Sequence, residues 1–277
     1  MKKILKILSI FIIIFLLFYG GIFIYAKLAP TLPIKSANSF ILYDKDGQLY
    51  NESDSEWVKL KDISSSMIEA TISIEDKNFY KHHGFDYLRI IKAMLTNIKS
   101  GEKKQGASTI TQQYAKNLFL TFDKNWKRKI EEALLTVRLE AHYSKDELLE
   151  GYLNTINYGG VFGIEEASKY YFGKSSKELT LAEASILAGI PKSPSNYSPI
   201  SNYDNAKKRQ KIILDSMVQN GYITEEQSKE AYNTELTFIG SLNENDSSIL
   251  RYFEDAVLEE LENLTSVPKS FLETGGL

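Results

Sequence analysis

Two glutamates stand at positions where helical periodicity separates them from ordinary surface charge. Ile68, Ile72, Glu75 and Phe79 fall at offsets of 0, 4, 7 and 11, so Glu75 joins the apolar stripe of a helix expected to begin near Ser66. A carboxylate on such a stripe is partly desolvated. Loss of water disfavours its charged form, and that makes a glutamate a useful proton acceptor near neutral pH. The plainer alternative is a glutamate tied to a basic neighbour such as Lys77 or Arg89. The second glutamate, Glu132, lies in R-K-I-E-E-A-L-L-T-V-R-L-E, where Ile130, Ala133, Leu134, Val137 and Ala141 mark one apolar face. At about 100° per residue, Glu132 and Arg128 fall on the opposite side, facing solvent or a cleft, with Glu131 between the two faces. The plainer reading here is an exposed ion pair one helical turn apart.

The sequence between these glutamates supplies complementary chemistry. G-A-S-T-I-T-Q-Q-Y-A-K-N-L combines small residues, hydroxyls and amides ahead of a lysine, which suits a pocket for sugar or phosphate oxygens as well as an ordinary Ser/Thr-rich helix start. Lys116, Lys124, Arg128 and Lys129 follow. Two carboxylates beside such cations are what a sugar joined to a lipid through a diphosphate would need.

The elements that position these groups are mainly helical. Ser-x-x-Glu or Thr-x-x-Glu/Gln boxes at Ser66/Glu69, Ser144/Glu147, Thr180/Glu183 and Thr224/Gln227 predict helix starts. The helix after Thr180 is expected to stop at Gly189-Ile190-Pro191, with K-S-P-S-N-Y-S-P as a loop. The one β signal is S-F-I-L-Y-D-K-D-G-Q-L-Y, read as a small strand or hairpin. A net charge of −3 gives no basic field for nucleic acid, and the absence of cysteine excludes disulfides, thiolate chemistry and Cys-based zinc sites. His82, His83 and His142 lack the spacing of a zinc hydrolase motif. Ile7 to Ala26 is an uncharged run of twenty residues, the length of a membrane span, and Lys2, Lys3 and Lys6 before it place the N-terminus in the cytoplasm. The division expected is a cytoplasmic N-terminus at 1–6, a transmembrane helix at 7–26, a linker at 27–39, a catalytic domain at 40–235 and a further linker at 236–277.

The order E-D-K-N-F-Y-K-H-H-G (75–84), G-A-S-T-I-T-Q-Q-Y-A-K-N (106–117), R-K-I-E-E-A (128–133), Y-S-K-D-E-L-L-E-G-Y-L-N (143–154), Y-G-G-V-F-G-I-E-E-A-S-K-Y-Y-F-G-K (158–174) and L-T-L-A-E-A-S-I-L-A-G-I-P-K-S-P-S-N-Y-S-P (179–199) resembles the bacterial peptidoglycan glycosyltransferase domain. That domain occurs in class A penicillin-binding proteins and monofunctional transglycosylases. The resemblance implies a mainly α, lysozyme-like fold with a head and a membrane-associated jaw, the jaw at about Phe85 to Asp123. It implies an inverting transfer in which lipid II is added to a lipid-linked glycan strand with release of undecaprenyl diphosphate. Glu75 would be the general base, Glu132 would assist at the diphosphate, and Lys116, Lys124, Arg128 and Lys129 would neutralise it. Lys124 replaces an arginine common in such enzymes, which loses the bidentate fork. Ser108, Thr109, Gln112 and Gln113 match donor-pocket positions, and Asp76, Phe79, His83, Gly106 and Asn117 match framework positions. No cofactor is obligatory, with Mg2+ or Mn2+ allowed beside Glu132. The implied partners are lipid II, the growing strand, the cytoplasmic membrane and other cell-wall synthesis proteins. The tail from about Leu250 resembles a linker toward a transpeptidase domain whose motifs this sequence lacks. A lysozyme-like glycan hydrolase and a non-catalytic scaffold of a cell-wall synthesis complex remain the rival readings.

Overall fold

The structure, a computed structural model, describes residues 20–34, 56–101, 106–120, 126–240 and 260. Most of the expected membrane span, the hairpin at 39–50, Lys124 and most of the tail beyond 235 lie outside these residues. The described chain is mainly helical, and its only extended pairing is an isolated antiparallel bridge between Asn157 and Phe162. After α1, helical over 20–28, come α2 (Ser65–Glu75), α3 (Tyr87–Ser100), α4 (Ile110–Phe119), α5 (Trp126–His142), α6 (Lys145–Thr155), α7 (Ile164–Phe172), α8 (Leu181–Leu187), α9 (Pro194–Tyr197), α10 (Tyr203–Gln219) and α11 (Glu225–Asn233).

Local chemistry starts several of these helices. The boxes expected at Ser144, Thr180 and Thr224 are formed, the cap hydroxyl taking the third amide and the Glu or Gln side chain returning to the cap amide. Two more, Thr109/Gln112 and Ser175/Glu178, were not anticipated. The box expected at Ser66 does not form. Ser64 occupies the cap position, and its hydroxyl donates to the carbonyl of Leu179 at 2.8 Å, so a long-range contact displaces the local one. The segment after Gly189 is not wholly loop, since Ile190–Lys192 makes a 3-10 turn and α9 follows at Pro194.

One apolar core joins α2, α4, α6, α7, α8 and α10. Within it α4 lies against α5 and α6, while α2 lies against α8 and α10. Tyr114 of α4 is fully buried against α6, where Gly151 leaves no room for a side chain: a Cβ there would stand 2.1 Å from the Tyr114 hydroxyl oxygen. That hydroxyl donates to the carbonyl of Ile34. It is one of four grips on the N-terminal segment, with Tyr143 on the Leu32 carbonyl, Arg138 on the Pro30 carbonyl at 2.8 Å and His142 on the Ala26 carbonyl at 2.8 Å.

Two exposed surfaces are apolar. On α3, Leu88, Ile91, Met94, Leu95 and Ile98 are exposed, with Lys92 and Lys99 on the same helix. On α5 the expected orientation holds only in part: Val137 is buried as expected, but Ile130 and Leu134 are exposed and Glu132 is buried along with Thr136 and Leu139. Burying Glu132 is tolerated because cations and an amide surround it, which offsets its lost hydration. Among the described residues no helix is long and apolar enough to cross a membrane.

The close approach at Gly151 gives a test of this packing. Gly151→Ala is expected to destabilise the fold by about 1–3 kcal/mol, the usual range for overpacking a core. Urea unfolding measures it, and an unchanged midpoint would contradict the packing described.

Candidate active site

Glu75 is the last residue of α2, and the stripe that appeared to continue to Phe79 breaks at Asp76. Asp76 is completely buried. Its Oδ2 accepts the amide of Ile110, the first residue of α4, at 3.1 Å, and His82 Nε2 at 2.9 Å. The carboxylate therefore sits at a helix N-terminus, where unpaired amides favour negative charge. Arg89 Nη1 lies 3.9 Å from Asp76 Oδ1 and donates to the backbone carbonyl of Glu75. The histidine on Asp76 is thus His82, while His83 is exposed. Phe79 is fully buried, Asn117 half-buried and Gly106 exposed.

Docking Asp76 onto the start of α4 brings the preceding residue, Glu75, beside the first turn of that helix. Gln113 Nε2 donates to Glu75 Oε2 at 2.8 Å. The amide of Gln113 is oriented from behind by the hydroxyl of Tyr152, which donates to its Oε1 at 3.3 Å. Burial pushes the Tyr152 phenol well above its ordinary range, with the Glu75 charge adding to the effect, so this hydroxyl remains a donor. On the other side of Glu75, Arg209 Nη2 of α10 lies 3.8 Å from Oε1. The partners of the Glu75 carboxylate are therefore Gln113 and Arg209. Lys77 is exposed, and Arg89 meets the backbone carbonyl instead.

The neighbouring amide holds the second glutamate. Gln112 Nε2 donates to Glu132 Oε1 at 3.4 Å, and Gln112 Oε1 accepts the amide of Thr109 at 3.1 Å. Glu132 also receives Arg128 Nη1 at 3.1 Å and Lys129 Nζ. Thr109 is wholly buried and donates to the carbonyl of Gly84 at 2.7 Å, so its hydroxyl serves the fold, whereas Ser108 is half-buried. Lys116, one turn beyond the glutamine pair, links the two halves electrostatically. Burial lowers its pKa, Glu132 raises it, Arg128 and Lys129 lower it, and Glu75 raises it. The net direction is down. Two adjacent glutamines of α4 thus bind two different carboxylates, Glu75 hydrogen-bonded by an amide and Glu132 paired with two cations.

The chain's own groups beside Glu132 do not fit a divalent cation, which wants several oxygen ligands. They present one buried carboxylate among Arg128, Lys129 and Lys116, and no cluster of three acidic or histidine groups occurs among the described residues.

Sequence reasoning missed Arg209, Tyr152 and His82 as contributors. A signal for Arg209 existed: it falls between Ala206 and Ile213, both buried, at the spacing of the inward stripe of α10.

The family described as Transglycosylase matches residues 44–218. Penicillin-binding protein 2D of Bacillus subtilis (strain 168) is 48% identical over 257 residues, which are 91% of this chain and 37% of that protein. Penicillin-binding protein 1F of the same organism is 44% identical, over 84% of this chain and 32% of its own length. Penicillin-binding protein 1A of Neisseria lactamica is 43% identical, over 79% and 28%. The chain thus spans about a third of the length of these relatives. A crystal structure of Penicillin-Binding Protein 1A from Haemophilus influenzae superposes with a TM-score of 0.39 at 24% identity, over 71% of this chain and 20% of that one, too loosely to bear on the fold.

Removing the Asp76 carboxylate tests the docking of α2 onto α4. Asp76→Ala leaves a helix amide and a part-buried imidazole unpaired and is expected to cost about 3 kcal/mol in chemical unfolding. A loss below about 0.5 kcal/mol, the range of ordinary surface substitutions, would contradict the placement.

Proposed function

The chain belongs to the transglycosylase family, and from that membership we propose that it polymerises lipid-linked disaccharide units, lipid II, into glycan strands at a membrane surface. Glu75 accepts the proton of the acceptor sugar's 4-hydroxyl. The freed oxygen attacks the anomeric carbon of the growing strand from the face opposite the diphosphate, a new glycosidic bond forms, and undecaprenyl diphosphate leaves with inversion. Lys116, Arg128 and Lys129, with Lys124, neutralise the charge that develops on the departing diphosphate, and Glu132 holds Arg128 and Lys129 in place for that task. Ser108, which is half-buried, contributes its hydroxyl to the donor in this reading.

The observation that carries this reading is the adjacency of Gln112 and Gln113 on α4. Each side chain binds one glutamate, and Lys116 on the same helix feels both. A hydrolase needs an acid and a water, with no cationic side for a lipid diphosphate. The apolar face of α3, with its lysines, suits a bilayer interface, and the run 7–26 suits a single anchor with the domain outside the cytoplasm.

Polymerisation of purified lipid-linked disaccharide pentapeptide tests the assignment. Glu75→Gln is expected to slow strand formation by at least about 100-fold while leaving the fold intact. Polymerisation at the wild-type rate would overturn the assignment, and short hydrolysis products without released lipid diphosphate would favour a hydrolase.

The state of Lys116 predicts a pH dependence. A lysine whose pKa is lowered loses its charge earlier as pH rises, so the diphosphate clamp weakens below the ordinary lysine range of about 10.4. An arginine at this position stays charged. In kcat/KM, which reports the free enzyme, Lys116→Arg is expected to move the alkaline limb to higher pH. An unmoved limb would show that another group sets it.

A further inference from the structure

We propose that Arg209 is the positioning residue of the candidate base, clamping the Glu75 carboxylate between α10 and α4 in the orientation needed to meet an acceptor hydroxyl. The inference rests on the reading of Glu75 as that base. The Glu75 side chain is 13% exposed and the Arg209 side chain 12%, so neither is a freely solvated charge. Their contact, Nη2 to Oε1 at 3.8 Å, is looser than a bidentate pair. Oε2 meanwhile is bound at 2.8 Å by Gln113. A carboxylate held this way has both oxygens steered from separate helices, yet Oε1 is left able to accept a proton. A tight fork on the same oxygen would compete with the substrate hydroxyl for its lone pairs.

The surroundings of Arg209 are built to hold its long side chain still. Gly189, just after α8, gives its stem passage: a Cβ there would stand 2.8 Å from Arg209 Cγ. The guanidinium lies 5.8 Å from the ring centre of Tyr197 on α9. Its Nε is buried with no hydrogen-bond partner among the described residues, so the fork is not saturated by the protein. On the same helix, Ser216 donates to the carbonyl of Ser73 at 2.8 Å, which ties α10 to the last turn of α2, two residues before Glu75. The helix that carries the arginine is therefore fixed to the helix that carries the glutamate. Misplacing a reacting group by about 1 Å costs on the order of 100-fold in rate, and such a bracket prevents that displacement.

Four variants of the full chain, compared in polymerisation of lipid-linked disaccharide pentapeptide, test the proposal: Glu75→Gln, Arg209→Met, Arg209→Lys and the double variant Glu75→Gln/Arg209→Met. Methionine keeps an unbranched stem beside Gly189, and the thermal midpoint confirms folding. Arg209→Met is expected to lower kcat by roughly 10- to 100-fold with KM within about threefold, because the arginine acts on the base and not on ground-state binding. Arg209→Lys, which restores the charge, should recover most of that loss. In the double variant, removing Arg209 should add nothing to the Glu75→Gln defect, since the residue acts through the carboxylate. The proposal is overturned if Arg209→Met keeps the wild-type kcat. It is equally overturned if the loss appears mainly in KM, or if the two defects multiply. Should Glu75→Gln itself polymerise normally, the base assignment fails and this inference with it, an outcome distinguishable from failure of Arg209 alone.

Discussion

The arrangement depends on one completely buried carboxylate. Asp76 accepts the first amide of α4 and the imidazole of His82, with Arg89 nearby, and so fastens the end of one helix to the beginning of another. Because Glu75 immediately precedes it, the docking fixes where that side chain can go. Because Gln112 and Gln113 follow within the first turn of α4, it also fixes what the side chain meets. A fully buried carboxylate is stable only when its neighbours replace water, and here a helix N-terminus, a histidine and an arginine do so. The local geometry of the candidate site follows from that single satisfied charge.

From this joint the two glutamates acquire different surroundings. Glu75 is met by a neutral amide and a loosely placed guanidinium. Glu132 is met by Arg128 and Lys129 as well as Gln112. Lys116 stands electrostatically between them, its charge favoured by both carboxylates. Behind the site, the grips of Tyr114, Arg138, His142 and Tyr143 on backbone carbonyls of residues 26–34 tie the N-terminal segment to α4, α5 and the turn before α6.

Much of this was legible in the sequence where the cause is local. The caps at Ser144, Thr180 and Thr224 are contained within four residues, and reading them places α6, α8 and α11. The cap at Ser66 failed because Ser64 is engaged by Leu179, more than a hundred residues away, which no window reveals. The face of α5 departs from its periodicity at Ile130, Leu134 and Glu132 for a related reason, while Val137 is buried as the stripe implies. Periodicity assigns Ile130 and Leu134 to the interior, but a glutamate with three polar partners competes successfully for the buried side. Glu75 was identified by its place on a stripe, although its partners, Arg209 and Gln113, come from α10 and α4 and only tertiary packing brings them there. Within the run A-K-K-R-Q-K, Arg209 is hidden among solvated charges, and only its register with Ala206 and Ile213 distinguishes it.

The central claim is a division of labour between a proton acceptor and a diphosphate clamp, and it is tested most directly by the affinity of the purified chain for undecaprenyl diphosphate. Calorimetry on the wild type, Glu75→Gln and Lys116→Gln separates the two roles without any turnover. The account predicts that Glu75→Gln binds within about threefold of the wild type, while Lys116→Gln binds at least about tenfold more weakly, the equivalent of one lost charge-assisted contact. Equal weakening by both substitutions, or none by the lysine substitution, would contradict it.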